Sequence, residues 1–218
     1  CVSDLGPAGA EAHADGLRLA NVLGDHMVLQ RDQPIRIWGW ARPGEGVQAS
    51  LARQHGKTVA GRDGRFMLSL PALPAGGPHV LSVRTANAEK QLHDVLVGEV
   101  WLCSGQSNME WLLKDSEGAA EAIASADAHP GIRHIKLPHH AALAPQDDIL
   151  PAAWQVGSAS TAGEFSGVAY FFARKLQQAL KVPVGLVNSS WGGSHLETWT
   201  SPQAALRGPD LAAPVQAM

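Results

Sequence analysis

The chain has 218 residues, of which 45% are hydrophobic and 17% charged, a composition too apolar for a disordered protein. Lys and Arg number 17 against 20 Asp and Glu, for a formal net charge of −3. With no basic block, the footprint of a nucleic-acid binder is missing. Apolar runs such as Val182 to Val187 fall far short of the ~20 residues that a membrane helix needs.

Residues 1–16 are rich in Ala, Gly and Asp without any period and read as a flexible arm. The chain begins on Cys1 rather than Met, which suggests a removed leader and leaves lipid modification of Cys1 open. The two cysteines, Cys1 and Cys103, form no C-x-x-C pair, so a structural zinc site of the usual kind is excluded. From Leu17 the pattern alternates with period two: Ile35 to Trp40, Val47 to Leu51, Phe66 to Leu70 and His79 to Arg84. Between these lie the turn signals Arg42-Pro43-Gly44, Arg62-Asp63-Gly64 and Pro74 to Pro78. Short half-buried strands separated by turns predict a small antiparallel β-sandwich over 17–97, with no helix. Trp38 and Trp40 share one strand face, where core packing is favoured over stacking on a sugar.

After Gly98 the pattern changes. Val100 to Cys103 is a continuous apolar run, predicting a strand covered on both faces, with Cys103 as a small buried hydrophobe. Gly105 to Asn108 reads as a turn, Glu117 to Ala128 as a helix, and Ile132 to Leu137 as an alternating strand. Ser166 is placed to cap a helix running to about Leu180, whose apolar positions Val168, Phe171, Phe172, Leu176, Ala179 and Leu180 fit one face. Pro183 stops that helix, and Val184 to Val187 predicts another buried strand. Alternating strands and helices imply a parallel α/β sheet over 98–205. Residues 206–218 are rich in Ala and Pro and read as a linker or loop.

Ligands of open α/β sheets sit at the carboxyl ends of strands. Two loops rich in Gly and small polar residues occupy such positions, Ser104 to Trp111 and Asn188 to His195. In the first, Ser107 can project its hydroxyl above the sheet while Gly105 allows a sharp turn. The N–H groups of a following helix can hold an oxyanion. A plain turn serine is the competing reading. Met109 stands where G-x-S-x-G needs its last glycine, which disfavours an α/β-hydrolase. Among the histidines, His129 reads as a surface residue, His139-His140 as exposed loop, and His195 as a possible substrate contact without an orienting carboxylate.

The word Gly98-Glu99-Val100-Trp101-Leu102-Cys103-Ser104-Gly105-Gln106-Ser107-Asn108-Met109-Glu110-Trp111 closely resembles the nucleophile block of the sialate O-acetylesterase-like carbohydrate esterases, which belong to the SGNH (GDSL-type) hydrolases. Phe165 to Phe172 and Val182 to Gly193 also resemble that family, and Asn21 to Gln30 is similar to its entry into the β-domain. The resemblance covers about 17–203. It implies an amino-terminal β-sandwich followed by the first part of a three-layer α/β/α hydrolase domain. Ser107 matches the acyl-forming nucleophile, with its own N–H donating to the oxyanion. Gly192 matches the second oxyanion donor, with Gly193 as the near alternative. Glu197 and Trp199 match residues that shape the substrate wall or brace the loop, and Gln106 and Asn108 match residues flanking the nucleophile, better suited to holding the loop or touching substrate than to chemistry.

The family also carries an Asp-x-x-His motif and a Gln-Gly-Glu block, neither of which occurs here. Asp127-Ala128-His129 has the wrong spacing and position. The expectation is therefore an amino-terminal part of a longer esterase, its catalytic base lying beyond Met218. Such an enzyme would remove O-acetyl groups from acetylated sugars through an acetyl-serine intermediate, without metal or organic cofactor, in the periplasm or outside the cell. The alternatives are a non-catalytic carbohydrate-binding fragment and, more weakly, a thiol enzyme built on Cys103.

Overall fold

The computed structural model describes residues 16–142 and 144–207; all of the expected arm but Gly16, with Cys1, and most of the expected carboxy-terminal linker fall outside them. Strands β1 (Arg18–Leu19), β3 (Ile35–Trp40) and β6 (Arg65–Leu70) form a three-stranded antiparallel sheet in the order β1-β3-β6. The remaining strands are β2 (Val28–Gln30), β4 (Gly46–Leu51), β5 (Gln54–Val59), β7 (Gly76–Arg84), β8 (Glu89–Gly105), β9 (Ile132–Lys136), β10 (Gln155–Val156) and β11 (Val184–Ser190). They form one mixed sheet of order β10-β9-β11-β8-β7-β4-β5, with β2 also on β8. The fold is thus mixed α/β and mostly sheet, the β-rich part first, as expected.

Alternation explains the first part. In β6, Phe66, Leu68 and Leu70 point inward while Arg65, Met67 and Ser69 face out, and in β3 Ile35 and Ile37 point inward. These side chains meet Val47, Leu51, Leu81, Val83 and Val95 in one core, each buried large aliphatic contributing about 1.5–3 kcal/mol. The expectation of a wholly antiparallel sandwich needs one correction, because β2 runs parallel to β8, with Val28 opposite Leu96.

Strand β8 links the two parts. Its first half pairs antiparallel with β7, and Glu99 to Gly105 pairs parallel with β11. The expected division at 97/98 falls within this strand. Next to β11, β9 adds another parallel strand, so a parallel β9-β11-β8 sheet does follow the β-rich region. Helix α1 (Ser107–Glu110) follows β8, α2 (Ala119–Ala124) is shorter than the predicted 117–128, α3 (Gly167–Leu180) lies on one sheet face, and α4 (Pro202–Ala205) comes last. Ser166 caps α3 by accepting from the Ala169 N–H at 3.3 Å.

Three other expectations change. The fully buried side of α3 is Gly167, Ala169, Tyr170 and Ala173, with Phe171 and Leu176 partly buried against the same core as expected, whereas Val168, Phe172 and Leu180 face out; small residues let this helix approach β11 and β9 closely. Strand β9 is not alternating, since Ile132 to Ile135 are all buried. The run Val100 to Cys103 is not covered on both faces. Cys103 is buried against α3, but Trp101 is 42% and Leu102 68% exposed. Among the described residues no strand pairs with Trp101 to Gly105 on the side away from β11, so that edge of β8 stays open. No helix among them is long and apolar enough to cross a membrane.

Candidate active site

The parallel strands β8 and β11 end side by side, with Ser190 opposite Gly105. Their following loops, the two singled out by composition, therefore meet. Gly105 has φ +144, a conformation closed to residues with a Cβ, and it turns the chain straight into α1. The Gln106 carbonyl then accepts the Met109 and Glu110 N–H groups, both at 3.0 Å. Ser107 is the first residue of α1 and is exposed, as are Gln106 and Asn108. Neither Gln106 nor Asn108 makes a side-chain hydrogen bond among the described residues, so backbone bonds hold this loop and both amides stay available to a ligand.

The second loop is tied to the first. The Trp191 N–H donates to the Gly105 carbonyl at 2.9 Å, and the buried Asn188 accepts from the Ser190 hydroxyl at 2.6 Å. Gly192 lies directly against the serine. A Cβ built on it would stand 3.6 Å from Ser107 Oγ and 2.8 Å from Glu110 Oε2, so a side chain there would push the Glu110 carboxylate aside. The Gly192 N–H donates to Glu110 Oε2 at 2.6 Å. Gly193, with φ +75, completes the turn, and its N–H has no partner among the described residues. Glu197 and Trp199 follow in a short 3-10 turn, Leu196–Trp199. The Trp199 indole donates to Ser194 Oγ at 2.8 Å, which makes Trp199 a brace for this loop.

Sequence reasoning gives no role to Glu110, which lies one helical turn from Ser107. His139 sits in an exposed loop, as expected, and its ring stacks on Trp191 at 4.3 Å while its Nε2 lies 2.9 Å from the Ser190 carbonyl and 2.9 Å from Glu110 Oε1. Lys136 Nζ is 3.2 Å from the same oxygen. Burial pushes the Glu110 carboxyl up, but the Gly192 N–H, Lys136 and His139 together outweigh it and hold it below the ordinary carboxylate range. The other candidate histidines make no bond to Ser107 among the described residues. His129 is half-buried and bonded to Gln177 Oε1 at 2.9 Å, so it is not a free surface residue, and His195 is exposed. No hydrogen bond joins Ser107 Oγ to a histidine among the described residues. No three His, Cys, Asp or Glu among them are grouped to hold a metal.

The binding-module alternative finds little support. Trp38 and Trp40 lie opposite Ile35 and Ile37 and are half-buried, and the Arg18 guanidinium covers the Trp40 ring at 3.6 Å. An open concavity of about 570 Å³ lies on β4, β5 and β7, lined by Gln48, His55, Lys57, Ser82 and Arg84 among others but by no Trp, Tyr or Phe.

Residues 97–208, more than half of the chain, match the family described as "Carbohydrate esterase, sialic acid-specific acetylesterase". The chain is 31% identical over 204 residues to sialate O-acetylesterase of Mus musculus, covering 85% of this chain and 38% of that protein. It is 32% identical over 205 residues to the Homo sapiens enzyme, covering 85% and 39%. A solved structure of a carbohydrate acetylesterase from Xanthomonas citri superposes with a TM-score of 0.84 at 40% identity, covering 88% of this chain and 44% of that one. The chain thus spans about two-fifths of the length of the curated relatives it matches. With the Gly98 to Trp111 word and the glycine block both inside the matched region, the chain belongs to the sialic acid-specific acetylesterase family of carbohydrate esterases.

Proposed function

We propose that this protein is a serine carbohydrate esterase of the SGNH type, acting outside the cytoplasm on O-acetylated sugars or glycans. The observation that carries the reading is the exposed Ser107 hydroxyl at the start of α1, set against the Gly192 backbone. Ser107 Oγ attacks the acetyl carbonyl as its proton passes to a general base. The sugar oxygen leaves with that proton, and water then attacks the acetyl-serine to release acetate. The Ser107 N–H and an amide of the Gly192-Gly193 turn hold the tetrahedral oxyanion. Gln106, Asn108 and Glu197 line the approach. The base is a histidine of an Asp-x-x-His segment carried by a carboxy-terminal remainder of the same protein, which docks beside the open edge of β8. No metal or organic cofactor takes part.

The test is Ser107→Ala in the full-length esterase, with acetate release from an acetylated oligosaccharide as the readout. Turnover is expected to fall by on the order of 10⁴- to 10⁶-fold, with an unchanged far-ultraviolet spectrum. Normal turnover by this variant would end the assignment.

A further inference from the structure

We propose that Glu110 is a positioning residue of the esterase site: its carboxylate grips the Gly192 amide and so holds the glycine turn against the Ser107 hydroxyl. The proposal rests on Ser107 being the nucleophile. Glu110 and Ser107 occupy the last and first positions of α1, one helical turn apart, and so share a face. Glu110 Oε2 accepts the Gly192 N–H at 2.6 Å. Glu110 Oε1 lies between Lys136 Nζ at 3.2 Å and His139 Nε2 at 2.9 Å. One carboxylate thereby joins three elements: the nucleophile helix, the end of β9 with its following loop, and the turn after β11. Charge-assisted bonds of this length are stronger than neutral ones, and they fix the backbone beside Ser107 Oγ, where small displacements cost rate.

Both oxygens are committed, and neither bonds to Ser107 Oγ, so Glu110 acts through the turn and not on the acetyl group. An anion next to a developing oxyanion would oppose the reaction. Lys136, the cationic group facing it, offsets that charge, and the His139 imidazole lies against the same oxygen. Because Glu110 already takes the Gly192 N–H, the amide left for the oxyanion is that of Gly193, which has no partner among the described residues. This fixes the sign of the test. Were Gly192 N–H the donor, Glu110 would compete with substrate and its removal would speed the reaction.

The experiment compares kcat and KM of the full-length esterase with those of Glu110→Ala, Glu110→Gln and Ser107→Ala, alongside the ¹⁵N-resolved amide signal of Gly192. Glu110→Ala is expected to lose about 100-fold in kcat with KM within a factor of about three. Glu110→Gln keeps an oxygen acceptor for the amide and should recover to within about tenfold of wild type. The Gly192 amide signal should move as Glu110 is protonated in wild type and in Ser107→Ala, but not in Glu110→Gln. Faster or unchanged turnover in Glu110→Ala overturns the proposal, as does a Gly192 amide that ignores Glu110. Should Glu110→Ala not fold, the Glu110→Gln kinetics and the wild-type amide titration decide the matter. Full activity in Ser107→Ala overturns the nucleophile assignment and any role of Glu110 in the chemistry, while a Gly192 amide that still follows Glu110 marks this as a failure of the reaction and not of the grip.

Discussion

Cys103 and Ser107 lie close together in sequence at the end of β8, but their surroundings set them apart. Cys103 is buried in the core beneath α3, and burial pushes its thiol up to about 11. At neutral pH only about one molecule in 10⁴ would carry the thiolate, the reactive form. Ser107 needs a base to react but is exposed, and it faces the glycine turn. The thiol-enzyme reading therefore predicts the wrong reactivity. In the folded chain, Cys103 should resist alkylation by iodoacetamide at pH 7.5 and react in urea. Cys103→Ala in the full-length esterase should keep turnover within about threefold. Rapid alkylation with loss of activity would reverse this order of candidates.

At the scale of elements, β9 is fastened to β8 by a charged cluster. The buried Arg133 guanidinium donates to Asp94 Oδ2 at 2.7 Å and Oδ1 at 3.3 Å, and to the Pro130 carbonyl at 2.7 Å. His26 Nδ1 lies 2.7 Å from Asp94 Oδ2. The hydrogen bonds from Arg133 are the main reason that the Asp94 carboxyl lies below its ordinary value, and burial opposes them. A depressed folded-state pKa means a stabilisation fully present above the unfolded value near 4 and lost as pH falls through the folded one. Asp94→Asn should lower stability at pH 7 by about 1–3 kcal/mol, the partly exposed carboxylate discounting the full cost of a broken buried pair. It should also flatten the loss of stability below about pH 4. Thermal melts from pH 2.5 to 7 check both, and parallel curves for the two proteins would remove Asp94 from this role. Alternation made β3, β4, β6 and β7 legible in the sequence because one face of each meets the core. Strand β5, Gln-His-Gly-Lys-Thr-Val, was passed over because it is polar and no residue of it is fully buried. The buried face of α3 is only partly legible, through Phe171 and Leu176, because close packing on a sheet selects Gly and Ala, which a search for large apolar side chains overlooks.

The whole molecule turns on β8, which serves the sandwich with one half and the site with the other. The site's two loops were legible because their composition marks strand ends, and the resemblance named Ser107 and Gly192 together. The grip of Glu110 and the approach of His139 were not, because both depend on β11 ending between β8 and β9, a register that no local pattern encodes. Among the described residues the same topology leaves an open edge. Leu102 is 68% exposed on one face of the strand, and on the other Trp101 packs edge-on against Phe172, itself 40% exposed. An unpaired edge flanked by large apolar side chains is a template for further strand pairing. The 218-residue chain on its own should therefore self-associate with rising concentration, as light scattering after size-exclusion chromatography would record. Leu102→Lys should reduce that association, since a charge on an edge strand blocks pairing and the exposed site costs little stability. A chain that stays monomeric at every concentration, with or without Leu102→Lys, would mean that this edge is too short or too twisted to recruit a partner strand.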